Sequence, residues 1–490
     1  MILSTLLIIF FATLSLFAIY FYKKQKYRWS LISVVVLGGI LRIYCASDQF
    51  LHNWDERYHA LVSKNLIEHP LKPTLYENPV LPYSKSNWTQ NHVWLHKQPL
   101  PLWSMAFSMK IFGTNEFALR LPSMLLSIIG IILVARIGSD LFNEKAGLIA
   151  AYLFAINGLI LDLGSGRWST DHYDFQFMFY ILLAIYFAMK FRRKGSLIIS
   201  ILIGACMGLA LLTKWLPALI ILPVWFIINY NTIKIRPLIF HGLLIFTTAF
   251  VIFLPWQFYS FWKFPHEAFA EFDYNLKHAN TAVEGRTGGA FYHLTLMRIH
   301  YGELIYLVII LALSVLLRKK ERALLAMFVW VFITYVFFSA VATKMSAYTV
   351  ISAPAMFLLI GIVSANILEN QWKWAQNKWL KMLMLLCFIG LPIRFSVERI
   401  APFSPKYNSP EWAIQLKNLE NEFDNNTILF NVKRNIEGMF FTDYTMYQRI
   451  PTENEVRFLR DHGYRVIVNL SEFEFPELLY FERKELVSNN

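Results

Sequence analysis

The chain of 490 residues has few charged residues and only three cysteines. Asp, Glu, Lys and Arg make up 16% of it, against roughly 25% in an ordinary soluble protein. The cysteines form no CxxC pattern, so they indicate neither a disulfide framework nor a structural zinc site. Because 56% of the residues are hydrophobic, the composition excludes a soluble globular protein and a disordered one. It predicts a polytopic helical membrane protein.

Apolar segments of about the length that a membrane span requires occur twelve times. We therefore predict an all-α protein with about 12 transmembrane helices, the first of them a retained helix and not a signal peptide. The predicted spans lie near residues 2–22, 29–47, 118–137, 147–164, 173–190, 197–213, 216–230, 238–257, 303–318, 323–341, 347–367 and 380–397.

Basic residues concentrate in alternate connections between these spans: 23–28, 136–145, 190–195, 231–236, 318–322 and 369–381. If the spans simply alternate, all six connections lie on one side, which the positive-inside rule identifies as cytoplasmic. Residues 398–490 carry a net charge of −4 against +13 for the whole chain. The first 397 residues therefore carry +17, which is typical of cytoplasmic loops and not of nucleic-acid binding.

Two long loops, 48–117 and 258–302, and the C-terminal segment are then predicted to be periplasmic. Apolar residues recur at helical spacing after Trp54, and Pro99 can open a second helix. These predict amphipathic helices along the membrane surface. After residue 398, NNTILFNV and YRVIVNL resemble strands, and IPTENEVRFLRDHG between them resembles a helix that ends at Gly463. The predicted domains are thus 1–397 in the membrane and 398–490 as a small α/β domain, without a glycine-rich phosphate loop.

Asp55 and Glu56 lie just after the second predicted span. A carboxylate at this place can accept a proton from a hydroxyl nucleophile. The alternative is a solvated helix start, in which Asp55 is a cap.

A second acidic group, Asp171, His172 and Asp174, lies at the outer end of a later span. Ionisable residues at such a position are candidates for function. A simple helix cap by Thr170 or Asp171 is the alternative, but two acids and a histidine exceed what a cap requires.

Several cations are predicted at the same face. His96 and Lys97 lie in the first loop, Arg286 in the second, and Lys214 and Lys344 at the ends of spans. One such lysine can simply extend to the interface. Together they indicate an anion site, such as one for a lipid phosphate.

The ordered blocks that contain these residues resemble the bacterial glycosyltransferase 39/83-like family. That family contains the aminoarabinose transferases acting on lipid A and is related to protein O-mannosyltransferases. The similar blocks are the first outer loop from NWDERYHALV to WLHKQPLPLW, then NEFALRLPSMLLSIIG, STDHYDFQFMF, GLALLTKWLPA, LPWQFYSFWKFP and KMSAYTVISAP. They cover residues 30–370 in pieces, and the C-terminal segment matches only weakly.

The resemblance implies a GT-C membrane fold and a sugar donor carried on a polyprenyl phosphate. It makes Asp55 the catalytic base and Asp171 a further catalytic acid, and it places the donor phosphate on Lys97. Glu56, the neighbour of Asp55, is a further candidate catalytic residue. The other expected ligands of that phosphate are Arg286, Lys344 and Tyr348, and the expected substrate-binding residues are His96, His172, Asp174 and Lys214.

Two departures from the family concern a metal ion. The family often has Glu-Lys-Pro-Pro where this chain has His96-Lys97-Gln98-Pro99, and His where it has Arg286. Some relatives hold a metal with such residues, so no cofactor is assigned and a divalent metal ion stays an open alternative.

The sequence therefore predicts an inverting glycosyltransferase in the bacterial inner membrane with its site facing the periplasm. Its expected partners are a polyprenyl-phosphate-linked sugar, a lipid, glycan or protein acceptor, and membrane lipids, with no nucleic acid. A lipid or solute transporter is the first alternative, although polar clusters at one face differ from the mid-membrane sites of transporters. A non-catalytic scaffold for envelope assembly is the second.

Overall fold

The computed structural model describes residues 2–168, 171–401, 409–469 and 482–484. Its first ten helices are α1 (Ile2–Lys23), α2 (Tyr27–Ala46), α3 (Asp55–Asn65), α4 (Pro99–Phe112), α5 (Glu116–Leu141), α6 (Glu144–Ile156), α7 (Gly158–Gly164), α8 (Asp171–Lys194), α9 (Leu197–Lys214) and α10 (Ile221–Asn229). The next ten are α11 (Ile235–Lys263), α12 (Pro265–Asn280), α13 (Tyr292–Tyr301), α14 (Ile305–Lys319), α15 (Arg322–Ala340), α16 (Ala353–Leu368), α17 (Lys378–Ile400), α18 (Glu411–Asn418), α19 (Asn435–Phe441) and α20 (Glu453–Asp461). The strands are β1 (Thr427–Phe430), β2 (Thr445–Met446), β3 (Arg465–Asn469) and β4 (Glu482–Lys484), and short 3₁₀ helices cover Leu216–Ile220, Val283–Gly285, Tyr348–Ser352 and Lys373–Gln376.

The chain divides into two compact units. The membrane unit comprises Met1–Ala46, Ser123–Trp262 and Phe272–Pro405, and the loop–tail unit comprises Ser47–Pro122, Lys263–Glu271 and Lys406–Asn490. The first outer loop thus belongs to the same compact unit as the C-terminal segment. The sequence predicts this loop as part of the domain of residues 1–397.

Membrane-spanning helices are the main component of the fold, as the composition predicts. Among the described residues, nine helices are long and apolar enough to cross a membrane, and up to eleven if each of two bent pairs is one span. The bent pairs are α6 with α7 and α13 with α14. One of the twelve expected spans, 216–230, is a 3₁₀ turn followed by the short helix α10. Together these cover Leu216–Asn229, which is too short to count as a membrane span.

The core of the membrane unit is built around α16. The apolar segment Tyr348–Leu368 consists of a 3₁₀ helix and α16, and its most apolar 18 residues are all buried. In α1, only 11% of the most apolar stretch is buried. A membrane helix that is apolar all round can face either lipid or other helices. Helix α16 is covered by protein and packs against α6 and α14. Small residues allow the closest of these approaches, since a Cβ at Gly361 would lie 2.4 Å from the carbonyl oxygen of Ala146.

The loop–tail unit contains a four-stranded parallel sheet in the order β2-β1-β3-β4. Strand β1 is buried along its whole length, as expected for a parallel strand with both faces covered. Helix α20 lies between β1 and β3 in sequence and starts at a capping box of Thr452 and Glu455. The predicted strand–helix–strand order of the C-terminal segment is confirmed.

Helix α3 of the first loop also packs against the C-terminal helix α19. The ammonium of Lys64 donates to the carbonyl oxygens of Met439 and Thr442 at 3.0 and 2.8 Å, the position at which a cation satisfies the end of a helix. The predicted helices at the start of the loop and at Pro99 are both confirmed, as α3 and α4.

The contact at Gly361 generates a test of the membrane core. Gly361→Ala should lower the free energy of unfolding by roughly 1 to 3 kcal/mol, because a methyl group in a packed interface forces the helices apart. Gly390→Ala is the matched control, since its Cβ would meet nothing within 4 Å. Thermal unfolding in detergent measures both variants, and equal midpoints would contradict the close packing of α16 on α6.

Candidate active site

Asp55 and Lys97 form an ion pair in the loop–tail unit, with 3.1 Å between the ammonium nitrogen and Oδ2. Asp55 is the first residue of α3, and Lys97 lies two residues before the start of α4. The side chains are 15% and 27% exposed respectively. The structure therefore brings the expected base and the expected phosphate ligand into direct contact while leaving both within reach of a substrate.

The backbone immediately before Asp55 is unusual. Trp54 has φ of 71°, a conformation that costs a residue with a side chain of order 1–3 kcal/mol and persists only where the surroundings impose it. Its side chain is 54% exposed.

Glu56, the neighbour of Asp55, is fully buried and paired with the fully buried Arg120 of α5. The guanidinium donates to both carboxylate oxygens, at 2.7 and 3.0 Å. It also donates to the carbonyl oxygens of Asp48 and Phe50, at 2.5 and 2.6 Å. These four hydrogen bonds of Arg120 fix the segment that leads into α3 and thereby the position of Asp55.

His52 completes this buried network. Its main-chain N–H donates to Glu56 at 2.6 Å, and its ring lies between Glu56 and Asp48. Burial opposes protonation of the ring, but the two carboxylates outweigh it and raise the pKa of His52. The two carboxylates therefore favour the charged form of the ring, while the main-chain N–H of His52 holds Glu56 in place.

His96 pairs with Glu271, with 3.0 Å between Nδ1 and Oε2. Both side chains are at most 10% exposed, and the imidazole stacks on the indole of Trp88 with ring centroids 4.3 Å apart. These two residues could supply two ligands to a metal ion. In the described part of the chain, no group of three or more His, Cys, Asp or Glu side chains could hold one.

In the membrane unit, three of the expected site residues meet. The ammonium of Lys214, at the end of α9, donates to Asp174 of α8 and lies 4.8 Å from the centre of the Tyr348 ring. Asp174 is 1% exposed, and its second oxygen has no hydrogen-bond partner among the described residues. His172 is also fully buried.

Arg286 and Lys344 lie side by side through their main chains, since the N–H of Lys344 donates to the carbonyl oxygen of Arg286 at 2.9 Å. The ammonium of Lys344 donates to the carbonyl oxygens of Phe338 and Ser339, at 3.1 and 2.6 Å, near the end of α15. Asp171 is the first residue of α8, but its side chain and Thr170 lie outside the described part of the structure.

Sequence reasoning missed Arg120, His52 and Glu271. Arg120 lies in a predicted span, and a charge within an apolar segment is a signal that could have identified it. Nothing in the local sequence could have paired Glu271 with His96, because 175 residues separate them.

Comparisons with known proteins agree with the resemblance found in the sequence. The family described as dolichyl-phosphate-mannose-protein mannosyltransferase matches residues 96–259. The undecaprenyl phosphate-α-4-amino-4-deoxy-L-arabinose arabinosyl transferase of Pseudomonas aeruginosa (strain UCBPP-PA14) is 26% identical over 252 residues, which are 48% of this chain and 40% of that protein. An uncharacterized protein of Aquifex aeolicus (strain VF5) is 25% identical over 74% of this chain and 70% of its own length.

Solved structures show the same fold. ArnT from Cupriavidus metallidurans bound to undecaprenyl phosphate superposes with a TM-score of 0.59 at 15% identity, over 89% of this chain and 85% of that chain. The archaeal oligosaccharyltransferase AglB from Archaeoglobus fulgidus superposes with a TM-score of 0.60 at 13% identity, over 90% and 69%. The chain is a multi-pass membrane protein with the GT-C fold, and its resemblance to the glycosyltransferases of this group is confirmed. It spans 40% of the length of the first curated arabinosyl transferase relative.

The buried pair yields a prediction about stability. Arg120→Gln should lower the free energy of unfolding by roughly 3 to 5 kcal/mol, because it leaves the carboxylate of Glu56 buried without its guanidinium. Arg457→Gln is the control, since its pair with Glu453 is exposed and should contribute little. Thermal unfolding in detergent compares the two. If Arg120→Gln were no less stable than Arg457→Gln, the buried pair would not anchor this loop.

Proposed function

We propose that this protein is an inverting glycosyltransferase of the bacterial inner membrane. It transfers a sugar from a polyprenyl-phosphate donor to a hydroxyl (or phosphate) group of an envelope glycolipid, glycan or protein at the periplasmic face. The names of the relatives support a lipid-linked donor, since they refer to undecaprenyl phosphate and dolichyl phosphate. The fold is compatible with this reaction, and the residues of the first outer loop suggest how it proceeds.

The contact between Asp55 and Lys97 is the observation on which the proposal depends. A base must be ionised and reachable by the acceptor, and a phosphate ligand must be cationic and reachable by the donor. The two groups are partly exposed and lie 3.1 Å apart, so an acceptor can reach the carboxylate and a donor phosphate can reach the ammonium.

In the reaction, the donor phosphate binds to the ammonium of Lys97, and Asp55 accepts a hydrogen bond from the acceptor hydroxyl. The acceptor oxygen attacks the anomeric carbon as its proton passes to Asp55. The bond between that carbon and the phosphate oxygen breaks, and the electron pair leaves with the phosphate. Lys97 stabilises the charge that develops on the leaving group. Attack opposite the leaving group inverts the anomeric centre.

We propose a positioning role for Glu56, because both of its oxygens are already bound to Arg120. Lys344 is also proposed as a positioning residue, since its ammonium already binds carbonyl oxygens near the end of α15. Arg286 and Tyr348 keep their proposed role toward the donor phosphate, and Asp171 keeps its proposed catalytic role. The proposed substrate-binding residues are His96, His172, Asp174 and Lys214.

The role of Asp55 can be tested by Asp55→Asn, which keeps the shape of the side chain and removes its basicity. We expect sugar transfer to fall by roughly 100-fold or more, in line with general-base contributions, while donor binding survives. Asp443→Asn is the matched control in the same unit, since Asp443 is 89% exposed and should leave transfer unchanged. Near-normal turnover by Asp55→Asn would exclude Asp55 as the base.

The role of Lys97 can be tested in the same purified system. Lys97→Ala should weaken sugar transfer from the polyprenyl-phosphate donor by an amount that corresponds to roughly 2 to 3 kcal/mol, the scale of a lost charge-assisted hydrogen bond. Lys110→Ala, an exposed lysine of α4, is the control. The assay compares a polyprenyl-phosphate sugar with a nucleotide sugar. Efficient transfer from the nucleotide sugar alone would exclude the lipid-donor mechanism.

A further inference from the structure

A cavity of 350 Å³ lies within the loop–tail unit, and its lining residues are not among those of the proposed active site. One wall comes from the first outer loop, with Arg57, Tyr58 and Tyr83, and the other from the C-terminal segment, with Tyr447 and Arg449. This volume is in the range of small-molecule binding sites. The cavity is therefore large enough for one or two sugar rings.

The charged groups of this cavity are all positive. Arg57, Lys433 and Arg449 line it, and no carboxylate is among its described lining residues. The carboxylate of Glu455 pairs with Arg449, and Glu437 lies 3.6 Å from Arg57. The lining itself therefore favours a ligand with a negative group.

Arg57 is incompletely satisfied. Its Nε is buried and has no hydrogen-bond partner among the described residues. Its contact with Glu437 is long, and the same carboxylate oxygen also accepts from Arg434 at 3.2 Å. Its remaining hydrogen bond, to the hydroxyl of Tyr58, is 3.5 Å long. A buried guanidinium N–H without a partner is costly, and the rest of this side chain, which is 27% exposed, is left to bind an anion in the cavity that it lines.

The other lining groups suit a saccharide. Tyr76 and Tyr447 stack with ring centroids 5.3 Å apart, and the amide of Asn435 donates to the hydroxyl of Tyr76 at 3.0 Å. These contacts make one wall rigid. Tyr83, which is 38% exposed, offers an aromatic ring to the apolar face of a sugar, and the amide of Gln90 offers donors and acceptors to its hydroxyls.

We propose that this cavity binds a saccharide with an anionic substituent. The sugar ring packs on Tyr83 and bonds to the amides, and the anionic group binds to Arg57, with Lys433 and Arg449 adding to the attraction. The binding does not depend on catalysis. Only the further step, that this saccharide is part of the acceptor, rests on the proposed function.

The test is a titration of the full-length protein in detergent, followed by ligand-observed NMR. The probes are glucose 6-phosphate, glucose and inorganic phosphate. Glucose 6-phosphate should bind saturably and at least tenfold more tightly than either of the others. The variant Lys97→Ala should bind it equally well, which separates this cavity from the donor site.

Three variants locate the binding. Arg57→Gln should weaken glucose 6-phosphate binding at least tenfold. Tyr83→Ala, at an exposed position where folding is not at risk, should weaken it at least fivefold and leave inorganic phosphate unaffected. Arg460→Gln is the control, because this exposed arginine of α20 does not line the cavity, and it should bind within twofold of the unaltered protein.

Three results would overturn the proposal: no saturable binding of glucose 6-phosphate, undiminished binding by both Arg57→Gln and Tyr83→Ala, or loss of binding in Lys97→Ala. These results are independent of the transfer assay. If Asp55→Asn retained transfer, the proposed mechanism would fail without affecting the titrations. If the titrations failed while Asp55→Asn abolished transfer, only the saccharide site would be lost.

Discussion

The buried ion pair between Glu56 and Arg120 is the interaction on which the first outer loop depends. An ion pair without solvent contact stabilises a protein only if nearly all of its hydrogen-bonding groups are satisfied. Arg120 meets this condition by donating to Glu56 and to two main-chain carbonyls of residues 48 and 50. Because these carbonyls belong to the segment that leads into α3, the pair fixes a chain path and does more than neutralise two charges.

Such an anchor accounts for the unfavourable backbone at Trp54. This residue holds a positive φ with an exposed side chain, so its conformation must be imposed by its neighbours. His52 on one side and Glu56 on the other are both held in the buried network. Asn53 and Trp54, the two residues between His52 and the start of α3, therefore have little freedom, and the direction of Asp55 is set before any substrate is present.

The sequence predicted the class of fold well, because hydrophobic composition and segment length determine how many helices a membrane protein can have. It also predicted the local elements that strong signals mark, such as the helix at Pro99 and the strands around β1 and β3. It could not predict that α10 would be too short to span, since the apolar run at 216–230 does not reveal the 3₁₀ turn that uses its first five residues.

For the candidate site, residue types could be predicted from the sequence, but their partners could not. Asp55, Lys97, Asp174 and Lys214 were all expected, yet their pairing depends on contacts between segments that are distant in the chain. Glu56 shows the difficulty most clearly. It adjoins Asp55 and is also acidic, so sequence reasoning treated the two alike, whereas full burial beside Arg120 gives it a different chemistry.

The contrast between Glu56 and Asp55 also suggests why the chain has two adjacent acids at this position. A carboxylate that is fully buried and bound on both oxygens cannot receive a proton from an arriving hydroxyl without breaking the anchor. A partly exposed carboxylate that is paired with one lysine can receive that proton, because a second anion can pair with the lysine in its place. In the proposed mechanism, binding of the donor phosphate at Lys97 would weaken the attraction of Lys97 for Asp55 at the moment when a base is required. The neighbouring Glu56 keeps the helix start in place throughout, so a change of charge at Asp55 does not become a change of structure.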